Sequence, residues 1–242
     1  MTRLVLAELL KLRTTRTFWA LAGSTAALVL LIVVLSLIID DDLDSHDEVE
    51  SLLSTGGIAG LLTLVLGVVA AAGEYRHGTI ASTLLVTPNR LRAVSAAVVA
   101  CLVGGLVIGV ITSAAIAVIA IPWLSANGVD LLPAGETLDL FFGATMFAGL
   151  GGALGAALGA LVRNQVAAVV GLLLLIFVFD PVLSALFENV APYTLSGLTG
   201  SMTGGDEGSV DLLPRGVAAL VWAGYAAVLG TAAAVLTSRR DI

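Results

Sequence analysis

The chain repeatedly runs for about twenty residues with almost no charge, and that feature leaves few folds open to it. A helix needs about 20 apolar residues to cross hydrocarbon. Inside lipid the backbone must satisfy its own hydrogen bonds, which long continuous apolar runs do as helices rather than as barrel strands. Such blocks occupy about residues 18–39, 52–72, 93–121, 138–162, 166–186 and 217–237. The first contains thirteen Leu, Ile, Val and Phe residues. At about −0.3 to −0.6 kcal/mol each, they contribute about −5 kcal/mol to insertion and outweigh Ser24, Thr25 and Ser36. Only 12% of the chain is charged and its mean hydropathy is +1.06, whereas about 25% of a soluble domain is charged. The expected fold is an all-α membrane protein with six transmembrane helices. It forms a single transmembrane domain over residues 1–242, with no room for an independent globular domain.

Arg3, Lys11, Arg13 and Arg16 precede the first block, as basic residues precede a signal sequence. The block exceeds the h-region length of about 7–15 residues and ends in acidic residues rather than a cleavage site, so it is expected to remain as a helix. With six crossings, one set of segments holds ten of the eleven basic residues and only Glu8, Glu74 and Asp241 among the acids, a net charge of +7. The opposite set carries Arg215 against fifteen acids, a net charge of −14. Basic residues stay cytoplasmic, so both termini are expected inside a bacterial plasma membrane. Ten arginines against one lysine, with abundant Ala, Gly, Leu and Val, fit a high-GC bacterial source.

Leu6, Leu9 and Leu10 stand at helical spacing, with Glu8, Lys11 and Arg13 turned elsewhere. This spacing predicts a short amphipathic helix on the cytoplasmic surface, its basic residues attracted to anionic lipid. The alternative is a frayed basic tail that only sets topology. Residues 40–50 read as a solvated acidic loop; a calcium loop would need an EF-hand glycine and terminal glutamate, which are missing. Residues 122–137 and 187–214 are expected outside, the latter irregular because of Pro192 and its many glycines.

Catalytic chemistry finds no foothold. Lys11 is the only lysine, so a Walker A loop is absent. His46 and His77 fall on opposite sides of the membrane and cannot share a metal. The serines have no histidine within the bilayer to activate them, and Cys101, inside an apolar block, reads as a buried inert thiol. Gly151, Gly155 and Gly159, like Gly105 and Gly109, recur at four-residue spacing and allow close helix approach. That approach could serve a subunit or pathway interface, or packing within the chain.

Asp180 interrupts an apolar run, and a carboxylate in hydrocarbon needs a partner or water, which makes it a candidate pathway residue. Pro181 should bend the chain there. The plainer reading has Asp180 capping a broken helix near external water. In the 74–92 loop, Thr79 can start a helix and Pro88 can stop it. Ile80 and Leu84 would form an apolar ridge between Ser82, Thr83 and Thr87. Such a loop suits docking to a cytoplasmic partner, or is simply basic.

Glu74, Gly78, Thr79, Leu84, Leu85, Pro88 and Arg90 resemble the E…GT…LL…P..R pattern of ABC-2 type permeases, the membrane subunits of ATP-binding cassette exporters. Glu8, Lys11, Leu12, Arg13, Thr17 and Trp19 look like that family's opening segment. The resemblance spans nearly the whole chain. It implies a connecting helix over 1–17 and a cytoplasmic coupling helix between the second and third spans, within 74–92. It also implies short re-entrant external helices after the fifth span, and a homo- or heterodimer forming the substrate pathway. ATP and Mg would be bound by a separate ATPase subunit, so the chain itself would hold no cofactor and catalyse nothing. Glu74, Gly78, Thr79, Ile80, Thr83, Leu84, Pro88 and Arg90 would serve ATPase coupling. Glu74 would anchor the loop to an arginine, or stand as a solvated helix-end carboxylate. The rivals are an ion-coupled secondary transporter using Asp180, an intramembrane hydrolase and a membrane scaffold.

Overall fold

The computed structural model describes residues 2–39, 45–79, 89–204 and 212–239, with side chains as far as 236. Every element among them is helical. α1 (Thr2–Thr14) meets α2 (Arg16–Ile39) at Thr15; α3 (His46–Ser54) passes through a 3-10 turn (Thr55–Gly57) into α4 (Ile58–Arg76). α5 (Arg90–Ala126) and α6 (Ala134–Val162) follow. α7 (Gln165–Leu174), a π-turn (Leu175–Phe179) and α8 (Asp180–Leu186) form one rod. A 3-10 turn (Ala191–Tyr193), α9 (Leu195–Thr203) and α10 (Arg215–Arg239) complete the order. Six helices are long and apolar enough to cross a membrane, at 16–39, 46–76, 90–126, 134–162, 165–186 and 215–236. The chain is therefore a multi-pass membrane protein.

α6 is the hub, packed on α4, α5 and α10. Its small residues make this arrangement possible. A methyl group on Gly151 would lie 2.6 Å from the Gly60 carbonyl oxygen, and one on Gly159 would lie 2.6 Å from that of Val68. One on Gly155 would collide with the Leu64 carbonyl. The opposite side of α6 presents Gly152 to the Cys101 carbonyl, while Gly105 and Gly109 of α5 press on Ala148 and Thr145. Both glycine repeats thus serve packing within the chain. With no hydrophobic drive between helices in lipid, close dispersion contact and polar links hold them. The Thr63 hydroxyl supplies such a link, donating within the α4–α6 seam to the carbonyls of Gly60 (2.9 Å) and Ala148 (2.8 Å). Phe147 and Trp222 join α6 to α10 edge to face, with centroids 5.2 Å apart.

Three expectations need revision. α5 continues through Pro122 to Ala126 and α6 starts at Ala134, which leaves a shorter connection than 122–137. Proline removes one helical donor, and the remaining bonds of the last turn carry α5 beyond it. The acidic stretch is helical from His46, where Ser45 and Glu48 form a reciprocal capping box. Residues 191–203 are mostly helical rather than irregular: the Thr194 hydroxyl caps α9 at Gly197, and Gly204 ends it at φ 81°.

Candidate functional site

Two polar clusters stand at opposite ends of the bundle. At one end α4 finishes in Glu-Tyr-Arg. A carboxylate in the last turn of a helix opposes the helix dipole, and Glu74 meets a cation from another element. Lys11 Nζ donates to Glu74 Oε1 at 2.6 Å and to Glu8 Oε1 at 2.9 Å. Glu8 and Lys11 lie three residues apart on one face of α1, which brings both to Glu74. Burial works to lower the Lys11 pKa, but the hydrogen bonds and charges of Glu74 and Glu8 outweigh it and hold the ammonium above its usual 10.5. The expected arginine anchor for Glu74 is therefore replaced by the chain's single lysine. Arg76 donates instead to Gln165 at 3.1 Å, and Arg163, in left-handed backbone at φ 60°, lies 5.4 Å over the Tyr75 ring.

Beyond Arg76 the chain turns at Gly78, whose φ of 69° favours glycine, while the His77 N–H bonds back to Gly73. The Thr79 hydroxyl donates to the Glu74 carbonyl at 3.4 Å. Ile80, Thr83, Leu84 and Pro88, the centre of the expected coupling helix, lie outside the described residues. Asn89 caps α5 by accepting from the Arg92 N–H, and Arg90 is the first residue of that helix. A cavity of about 700 Å³ runs beside this cluster between α1, α2, α4 and α5. Its lining includes Glu8, Lys11 and Glu74, together with Phe18, Leu66 and Cys101.

The amphipathic pattern of α1 differs from the leucine ridge read from spacing. Leu9 faces the bundle beside Glu8, Lys11 and Leu12, whereas Leu6 and Leu10 are exposed. The Lys11–Glu74 pair fits this rotation: the Glu74 carboxylate is largely buried, 13% exposed, and needs a partner, which Lys11 supplies from a half-exposed position. Arg13 stays outside, and its carbonyl accepts the Trp19 indole N–H at 2.7 Å.

At the other end Asp180 is buried, and both its oxygens are engaged. Oδ1 accepts the Leu195 N–H at 2.6 Å and Oδ2 the Ser196 N–H at 2.9 Å. These are two of the orphan donors at the start of α9, so Asp180 of the α7–α8 rod fastens a short helix against the bundle. The Ser184 and Thr194 hydroxyls lie 3.2 Å apart beside it, and the Tyr225 hydroxyl donates to the Tyr193 carbonyl at 2.9 Å. The expected loss of helical geometry at Asp180 does not occur: its backbone stays helical at φ −63° and ψ −52°, with a π-turn immediately before it. His46 approaches Glu136 at 3.4 Å and Arg215 approaches Asp139 at 3.8 Å, also at this end. His46 and His77 thus lie at opposite ends, and among the described residues no group of His, Cys, Asp or Glu could hold a metal.

Spacing on α1 placed Glu8 and Lys11 together but gave no signal for their link to Glu74, 63 residues away. The Asp180 cap joins positions 15 residues apart through backbone donors that no motif marks. No protein-family model matches this chain, and no curated protein matches it.

Proposed function

We propose that this chain is the membrane-spanning permease subunit of an ABC-2 type exporter. It works as a dimer in a bacterial plasma membrane with both termini cytoplasmic, driven by separate ATPase subunits that bind ATP and Mg. The observation that carries the reading is the Lys11–Glu74 pair. It ties α1 to the root of the 74–92 loop, so an ATPase pulling on that loop would move α1 and α4 together. Glu74, Gly78, Thr79 and Arg90 frame the docking loop, and Ile80, Thr83, Leu84 and Pro88 complete it in sequence. ATP-driven closure of two ATPases would bias the permease between inward- and outward-facing states through differential contact, as any ligand-driven switch requires.

The ion-coupled alternative draws no support from Asp180, whose two oxygens are occupied by backbone donors. Co-expression of the tagged chain with candidate ATPase subunits tests the proposal. The expected result is a co-purified complex with vanadate-sensitive ATP hydrolysis, lost in Thr79→Arg/Leu84→Arg while the membrane fold persists. A parent that captures no ATPase, or a variant that captures it equally well, would overturn the reading.

A further inference from the structure

We propose that the outer face of α1 is a binding surface for anionic phospholipid headgroups. The rotation of α1 divides its charges cleanly. Glu8 and Lys11 turn inward and meet Glu74, and the side chain of Glu8 is only 12% exposed. What faces away is Arg3, Leu6, Leu10 and Arg13, one helical stripe. Arg16 and Trp19 are also exposed where α1 turns into α2, and the indole is tied to the Arg13 carbonyl. The stripe therefore carries cations and apolar side chains with no acid among them.

That combination fits a lipid surface better than water. Leucines at positions 6 and 10 are each 59% exposed, and in water they would gain nothing from that placement. At the headgroup boundary they reach acyl chains while the guanidiniums meet phosphate. Arginine's planar fork suits phosphate oxygens, and tryptophan favours the interface. α1 also leads directly into a span that must enter hydrocarbon, so its position beside the headgroups follows from its connection. Lys11 would have been the third cation on α1, but its pairing with Glu8 and Glu74 removes it from lipid recognition. The inference is independent of whether an ATPase docks on the 74–92 loop.

Site-specific quenching in nanodiscs tests it. The full chain carries Ala7→Cys, an exposed position on the stripe, labelled with a bimane; Cys101 is buried and stays unlabelled. Phosphatidylglycerol or phosphatidylcholine, brominated in the upper acyl chain, is added at equal mole fraction. Attraction by the arginines predicts enrichment of the anionic lipid around the label on the order of fivefold, falling at high salt. It should also disappear in Arg3→Gln/Arg13→Gln/Arg16→Gln. Each single Arg→Gln variant, expected to weaken the preference partly, decides the matter if the triple variant fails to fold. Equal quenching by the two lipids, or a preference unchanged in the folded variants, would overturn the proposal. So would a label shielded from both lipids and from aqueous iodide, because a protein would then cover the face.

Discussion

Removing the Asp180 carboxylate should release α9 from the bundle while leaving the spans in place. The residue is 4% exposed and its carboxylate accepts two backbone N–H groups, from Leu195 and Ser196. Asp180→Ala leaves both donors at the start of α9 without an acceptor. A lost acceptor at a helix start costs about 0.5–2 kcal/mol, and a buried donor left unsatisfied costs about 1–3 kcal/mol. For two donors, partly relieved by external water, about 2–4 kcal/mol is expected. Asp180→Asn keeps one acceptor oxygen and should cost about half as much. Hydrogen exchange reads this locally: an opening made easier by about 2–4 kcal/mol speeds exchange by roughly 30- to 1,000-fold. The acceleration should be confined to 191–203, with amides in the α4–α6 seam unchanged. Exchange over 195–203 that matches the parent in Asp180→Ala would refute the capping argument. Acceleration spread evenly over all helices would refute its locality.

Four further outcomes follow from packing, charge and hydrogen bonding. Gly155→Ala places a methyl group on the Leu64 carbonyl, backbone that cannot turn aside, and should cost about 1–3 kcal/mol in detergent unfolding. Gly224→Ala, with nothing within 4 Å of the added carbon, should be neutral or slightly stabilising in the same assay. Lys11 holds its proton above its usual range, so its pairing stabilises fully below pH 10.5 and is lost as pH rises through the higher folded value. The melting temperatures of the parent and Lys11→Met should therefore converge at strongly alkaline pH and differ at neutral pH. Tyr225→Phe removes the bond to the Tyr193 carbonyl and should loosen 191–203 by about 0.5–1.5 kcal/mol, read by the same exchange experiment.

The six spans were legible because lipid imposes a length and an unbroken apolar character that only residue order can supply. Ends were less legible, since capping decides them: Ser45 begins α3 inside an acidic run, and α5 outlasts Pro122. The glycine repeats announced close approach without naming the partner, which α6 finds on α4 and α5. Residues 191–203 looked irregular because glycine and proline usually break helices. There, Thr194 caps α9 locally at Gly197, while distant Asp180 accepts the Leu195 and Ser196 N–H groups, a contact no local pattern carries. The same holds for Glu74, whose partner depended on how α1 rotates. Spacing recorded Leu6, Leu9 and Leu10 as neighbours, but which of them face inward goes with the Lys11 pair.

The docking of an ATPase on the 74–92 loop is the central claim, and a photo-crosslinking residue at position 79 of the otherwise intact chain addresses it most directly. Thr79 is the last described residue before the loop's centre. Irradiation in cells should give a covalent adduct with an ATP-binding polypeptide, and Leu84→Arg should abolish that adduct without lowering the amount of chain in the membrane. Irradiated cells that yield only lipid adducts or uncrosslinked chain, with an ATPase subunit present, would contradict the permease account.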